Sequence, residues 1–264
     1  MAGIMKVGCC GFAIKGGMRA YFETFRLVEL QSTFYKLPKP DTAKRWREKA
    51  PEDFEFTMKA FQGLTHPPTS PTWRRAGFKP DPSMASKIGF LKPTEENLRF
   101  WDKTRLIAEV LKAKIVVIQC PPTFAYSDES VSNLRAFFNS IRRDGLFLAL
   151  ELRNPSWSIE KAERLLEELS LILAVDPFKR SPVESKEGIL YYRLHGLGPR
   201  PYAYRYTEED MKRLYFDFVR PFLKVHREIY VLWNNIAMAK DAKRFLELYG
   251  KISDNQVRAR SSSQ

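Results

Sequence analysis

The stretch LALELRNPSW (148–157) decides how the rest of the chain is read. Leu148, Ala149 and Leu150 suit a buried strand. Glu151 and Arg153 then follow, and Asn154-Pro155 ends the strand, because proline cannot donate to a sheet ladder. Burying charge is costly unless the charge is paired or used. A strand that ends on a carboxylate and a guanidinium therefore asks for a reason, and the same ending recurs along the chain.

Apolar runs that read as strands occur at 4–9 (IMKVGC), 27–32 (LVELQS), 54–59 (FEFTMK), 114–120 (KIVVIQC), 146–152 (LFLALEL), 171–176 (LILAVD), 189–195 (ILYYRLH) and 228–234 (EIYVLWN). Helical periodicity fills most of the intervals: 18–25, 40–50 with Asp41 as its cap, 94–113 opening on Thr94, 127–143, 158–169, 207–225 and 236–250. Alternation of strand and helix predicts a parallel sheet, since parallel strands need crossovers. Eight such units predict closure into a (β/α)8, TIM-barrel-like α/β fold. The rival is an open doubly wound sheet, which a GxGxxG turn after the first strand would support. The turn here reads GCCGFAIKGG and does not match.

Two irregularities are expected. The interval from Asp176 to Ile189 is too short for a full helix, so that crossover is a loop. The proline-rich segment 61–93 after the third strand is long for a connection, and segments of that length serve as lids or binding loops or are mobile. A single domain over residues 1–252 is expected, followed by a disordered tail at 253–264.

Composition narrows the class. The chain has 264 residues, 44% of them hydrophobic, with no apolar run long enough to span a bilayer and no signal-like N-terminus. A cytoplasmic protein without membrane attachment is expected. Cys9, Cys10 and Cys120 form no CxxC pair and are odd in number, which argues against a disulfide framework or a structural zinc site. Three histidines do not make a multinuclear centre, although a single metal held by carboxylates stays open. No cofactor is indicated. The formal net charge of +13 favours anionic partners, nucleic acid among them, or is a solvated basic surface.

Barrel enzymes carry their chemistry at the C-terminal strand ends. Those ends hold Glu29 and Gln31, Lys59, Gln119, Glu151 and Arg153, Asp176, Arg193 and His195, and Asn234 and Asn235. Residues two apart on a strand share a face. Glu29 with Gln31, Glu151 with Arg153, and Arg193 with His195 should therefore point together. His66, in the long segment, is placed to reach the same mouth, and Phe34, Tyr35 and Phe124 follow strand ends as core or as a stacking wall. A clustered set of ionisable groups marks a site more often than a scaffold, the alternative being a polar plug.

The runs VELQSTFYKLP, FTMKAFQGLTH, VVIQCPPTF, LELRNPSW, YYRLHG and VLWNN, in this order, resemble the successive motifs of the YecE-like family, domain of unknown function 72. The resemblance implies a (β/α)8-like barrel with a polar cavity at its C-terminal mouth. The family's recurrent polar positions match Glu29, Ser32, Thr33, Tyr35, Lys59, His66, Gln119, Glu151, Arg153, Pro155, Trp157, Arg193, His195, Gly196, Asn234 and Asn235. The chain departs from the family at GCCGF, where a Gly-Thr-Ser-Gly-Trp-like turn is usual. It also has Gln31 where Asn is common and Asn154 where His is common.

The functional expectation is an enzyme that acts by acid–base chemistry on a small polar or anionic substrate, carboxylated or phosphorylated. Glu151 would be the base or acid and His195 would exchange the second proton. Lys59 would be an electrostatic stabiliser or a nucleophilic amine. Arg153 and Arg193 would hold the anion, with Glu29, Gln31, Tyr35, His66, Gln119, Asp176, Asn234 and Asn235 lining the site. The alternatives are a nucleic-acid-binding or nuclease-like barrel, suggested by net charge and by Arg74, Arg75 and Lys79, and a non-catalytic ligand-binding module.

Overall fold

The computed structural model describes residues 3–250, so the tail expected at 253–264 lies outside the described residues. Eight parallel strands follow one another in sequence order and close into a barrel. They are β1 (Ile4–Cys9), β2 (Leu27–Leu30), β3 (Glu55–Lys59), β4 (Ile115–Gln119), β5 (Phe147–Glu151), β6 (Ile172–Val175), β7 (Ile189–Leu194) and β8 (Glu228–Trp233). All eight fall inside the runs read from the sequence, within two residues at either end. Their bodies are buried on both faces, as crossover helices require of a parallel barrel. In β4 every residue from Ile115 to Gln119 is buried, and each aliphatic side chain so removed from water contributes roughly 1.5–3 kcal/mol.

The helices are α1 (Gly17–Thr24), α2 (Ser32–Tyr35), α3 (Pro40–Lys49), α4 (Glu95–Leu111), α5 (Asp128–Ser140), α6 (Ile159–Glu168), α7 (Glu208–Arg213) and α8 (Met238–Phe245). Four begin on a hydroxyl that the sequence offers. Thr94 accepts from the Asn97 N–H, Ser127 from Ser130, Ser158 from Lys161 and Thr207 from Asp210, each worth about 1 kcal/mol over alanine. Asp41 does not cap α3. Pro40 takes the first helical position, which leaves Asp41 within the first turn, where its charge still suits the helix dipole.

The chain forms two compact units. One comprises the residues up to Glu29 and those from Ala174 onward, and the other Leu30–Leu173. In the first, β1 pairs β8 in register from Ile4↔Glu228 to Cys9↔Trp233, and β7 pairs β8 from Ile189↔Glu228 to Leu194↔Trp233. Tyr21 of α1 ties the ends of β1 and β2. Its hydroxyl accepts from the Cys9 N–H at 2.7 Å and donates to the Leu27 carbonyl at 2.8 Å. The connection from Asp176 to Ile189 holds no helix, as its length demanded. The helix expected at 207–225 is α only to Arg213 and continues as a π-helical turn at Leu214–Val219.

In the second unit, β4 pairs β5 in register from Ile115↔Phe147 to Gln119↔Glu151, which sets Gln119 beside Glu151 at the strand ends. The 61–93 segment is not a bare loop. It forms 3₁₀ turns at Gln62–Leu64, Pro71–Ala76 and Pro82–Ser86. It also has a small core of its own, in which Phe61, Trp73, Ala76 and Ile88 pack with Leu37, Met84 and Phe100. Trp73 is anchored by its indole N–H to the Pro67 carbonyl at 2.9 Å.

Gly8 shows how tightly β1 is fitted. A Cβ at this position would stand 2.2 Å from the Leu27 carbonyl oxygen, an atom of the backbone that cannot turn aside. Gly8→Ala is therefore expected to cost at least the 1–3 kcal/mol typical of overpacking, as a lowered urea midpoint with an unchanged m-value.

Candidate functional site

In the first unit the strand ends converge on Glu29, the third residue of β2. Its carboxylate is fully buried, and so is the guanidinium of Arg193 on β7. Arg193 binds it through both arms, with Nε donating to Oε2 at 2.9 Å and an Nη donating to Oε1 at 2.8 Å. The Tyr191 hydroxyl, two residues back on the same face of β7, donates to Oε2 at 2.9 Å. Burial together with the charge of Glu29 holds the Cys10 thiol well above its ordinary pKa.

Asp176 follows β6 and organises its own surroundings. Its carboxylate accepts the backbone N–H of Phe178 at 3.2 Å and that of His195 at 3.2 Å. Lys179 Nζ lies 3.5 Å away and His195 Nδ1 3.8 Å away, the latter beyond hydrogen-bonding distance. The His195 ring meets the exposed Tyr202 edge-on, with centroids 5.6 Å apart. Asn234 is half-buried, and its backbone N–H donates to the Leu194 carbonyl at 2.8 Å. Asn235 is a fold-holding residue: its amide donates to the Tyr204 carbonyl and to Asp241 Oδ2, both at 2.7 Å.

In the second unit, Lys59, Gln119 and Glu151 end β3, β4 and β5, and all three are buried. Lys59 Nζ donates to Gln119 Oε1 at 2.8 Å and stands 3.8 Å above the centre of the Phe34 ring. Both are contacts that an ammonium makes well. Arg153, two residues past β5, turns back so that its Nε donates to Glu151 Oε1 at 3.1 Å. The Arg153 side chain stays 27% exposed, against 9% for that of Glu151.

His66 belongs to this group, as its place in the long segment suggested. Its ring packs edge-on against Phe34 at 4.9 Å, and its Nδ1 shares a 2.7 Å hydrogen bond with Thr65 Oγ1. Burial first, and then the charges of Lys59 and Arg153, push its pKa down to about 3 against the opposing pull of Glu151. At neutral pH the ring is an uncharged hydrogen-bonding group, and the field it feels is dominated by cations.

Gln31 differs from its expected placement. β2 stops at Leu30, and Gln31 adopts helical dihedrals as the lead-in to α2, so it does not share a strand face with Glu29. The reason is Thr33. Its hydroxyl lies 2.7 Å from the Lys59 carbonyl and 2.9 Å from that of Leu30, and so holds the short helix against the end of β3. Tyr35, half-buried on α2, accepts a 3.0 Å hydrogen bond from Arg75. Phe124 is core rather than a wall. It is buried and stacks on Trp157 at 5.6 Å, whose indole N–H donates to the Phe124 carbonyl.

Tyr191, Cys10 and Gln62 were not singled out by the sequence reading. Tyr191 sits two residues before Arg193, and the alternation rule applied backward along β7 would have found it. Gln62 is fully buried, and neither atom of its side-chain amide has a partner among the described residues. Among the described residues no group of three or more His, Cys, Asp and Glu side chains is placed to hold a metal ion. The three thiols are free and buried. Burial raises Cys9 to about 12 and raises Cys120 as well, which leaves no thiolate nucleophile at neutral pH.

Two outcomes follow from this geometry. Glu29→Ala leaves a buried guanidinium without its counter-charge and should cost about 3–5 kcal/mol by urea unfolding. His66 stays neutral in the folded chain down to about pH 3, whereas an unfolded histidine protonates near 6.5. Its contribution is complete above pH 6.5 and is lost as pH falls from 6.5 toward 3. Wild type should lose about 2 kcal/mol more than His66→Gln between pH 7 and pH 5 in paired urea titrations.

Several known proteins are similar to this chain. Over 140 residues it is 28% identical to the UPF0759 protein YunF of Bacillus subtilis, a match that covers 53% of this chain and 43% of that protein. The match thus spans less than half the length of that curated relative. Among solved structures, a DUF72 family protein from Enterococcus faecalis V583 superposes with a TM-score of 0.71 at 21% identity, over 94% of this chain and 98% of that one. A DUF72 family protein from Thermotoga maritima MSB8 gives 0.68 at 25% identity, over 93% and 98%. Residues 12–263 match the model of the family described as "Protein of unknown function DUF72", and the chain belongs to that family.

Proposed function

We propose that the chain is an enzyme for a small anionic substrate, carboxylated or phosphorylated, and that Lys59, His66, Gln119, Glu151 and Arg153 form the working group. The observation that carries the reading is the exposure of the Glu151–Arg153 pair. Its guanidinium is partly in solvent, its carboxylate is buried, and they meet at 3.1 Å. A guanidinium that is fixed by a buried carboxylate and still reached by solvent can meet an incoming oxyanion.

Charge supports the reading. Lys59 and Arg153 carry two positive charges against one negative charge on Glu151, and both add to the effect of burial in lowering the pKa of His66. Such a field favours a bound anion. Lys59, set on Phe34 and Gln119, serves here as a fixed cation rather than as a nucleophilic amine. Glu151 is the group left to move a proton, because His66 is too weak a base at neutral pH. Gln119, in register beside Glu151, orients the ligand.

Thermal-shift and calorimetric titration with sugar phosphates, sugar acids and short hydroxy acids tests the proposal. A ligand of the folded state raises the melting temperature through mass action. At least one anion should stabilise wild type, and Arg153→Ala should weaken it by about tenfold or more, since hydrogen bonds to charged groups are worth roughly 1.5–3 kcal/mol. Glu151→Gln should keep binding while turnover of that compound falls at least a hundredfold. Stabilisation that survives Arg153→Ala unchanged, or a panel that shifts nothing, would overturn the assignment.

A further inference from the structure

The segment between β3 and α4 carries a second feature that the anion site does not use. Residues 61–93 hold five basic side chains, Arg74, Arg75, Lys79, Lys87 and Lys92, against one acid, Asp81. On its surface lies a cavity of about 450 Å³ whose lining includes Trp73, Arg74, Phe78 and Lys79. Trp73 is the floor: it is buried, and the segment's own core and its hydrogen bond to Pro67 hold it in place. Phe78 stands on it with ring centroids 5.3 Å apart, yet is 54% exposed. Gly77, at φ +78°, makes the turn that carries the chain from the 3₁₀ helix into Phe78.

An exposed ring supported from beneath by a rigid indole and flanked by Arg74 and Lys79 presents a fixed face beside two cations. It has the two components that single-stranded nucleic acid needs, a stacking face for a base and cations for the phosphates. We propose that this platform binds single-stranded nucleic acid, with one base stacked on Phe78 and the adjoining phosphates on Arg74 and Lys79. The open form of the site favours a strand over a free nucleotide. Phe78, Arg74 and Lys79 are all exposed, so a strand can run across the ring, with Arg74 before it and Lys79 after it to meet successive phosphates; Lys87 is taken by Glu96 at 3.6 Å and Arg75 by Tyr35. A duplex is disfavoured because its bases are already stacked and cannot meet the ring. This binding is separate from the chemistry proposed at Glu151 and does not depend on it.

The test is fluorescence anisotropy with the full chain and a labelled twelve-nucleotide single strand, its duplex form and a mononucleotide competitor, across a salt series. Wild type should bind the single strand more tightly than the duplex, with affinity falling as salt rises. Phe78→Ala should weaken the strand by about tenfold, within the range for loss of one stacked base. Lys79→Ala should lower the salt slope by about one phosphate contact. Arg153→Ala, in the anion site, should leave strand binding unchanged, which separates the two proposals. The assignment is overturned if Phe78→Ala binds like wild type while its melting temperature is unchanged. It is equally overturned if duplex binds as tightly as single strand, or if the mononucleotide competes as well as the strand at equal concentration.

Discussion

A charge taken out of water must be met by opposite charge and by hydrogen bonds, or it does not stay charged. Glu29 is the extreme case in this chain. It has no exposure, and it is met by both arms of Arg193 and by the Tyr191 hydroxyl. Removing two such charges from water costs several kcal/mol each, and only near-complete pairing recovers it. The carboxylate comes from β2 and these partners from β7, so it is satisfied only when both strands are in their final register. The pair therefore selects one arrangement of its unit more than it stabilises that unit, a role for which buried polar groups are better suited than apolar ones.

The pair at Glu151 is built differently. Arg193 and its carboxylate have no exposure, whereas Arg153 keeps 27% of its side chain in solvent. One pair is sealed from water and the other is reached by it. Strand position sets the difference. Arg193 lies in the body of β7, whereas Arg153 lies two residues past the end of β5, where the chain has already left the sheet. A residue that leaves its strand before it meets its partner can be both held and reachable.

Much of this was legible beforehand. The strand runs were mainly apolar in their bodies, so each was found to within two residues, and the hydroxyls of Thr94, Ser127 and Ser158 marked their helices. The strand ends stood out because charge after an apolar run is rare without a use. What the sequence did not carry was set by long-range partners. Gln31 reads as a strand residue, yet the hydroxyl of Thr33 bonds the carbonyl of Lys59, 26 residues on, and the chain turns early. Asp41 reads as a cap, yet the proline before it claims the helix start. The core of the 61–93 segment escaped notice because Trp73 and Ile88 belong to no periodic pattern.

The same burial limits the chemistry open to the second unit. Thiols that are raised by desolvation do not supply nucleophiles, and an imidazole depressed to about 3 does not take up a proton at neutral pH. An ammonium seated over an aromatic ring and against an amide oxygen is held by those contacts. Covalent catalysis through Lys59 would have to break them. Proton transfer through Glu151 would not, because its Arg153 partner stabilises the carboxylate that remains after the proton leaves and stays in place when it returns. On the proposed reading, the reactions that fit are those in which an anion is held still while a proton moves, such as isomerisation, epimerisation or elimination beside a carboxylate or phosphate.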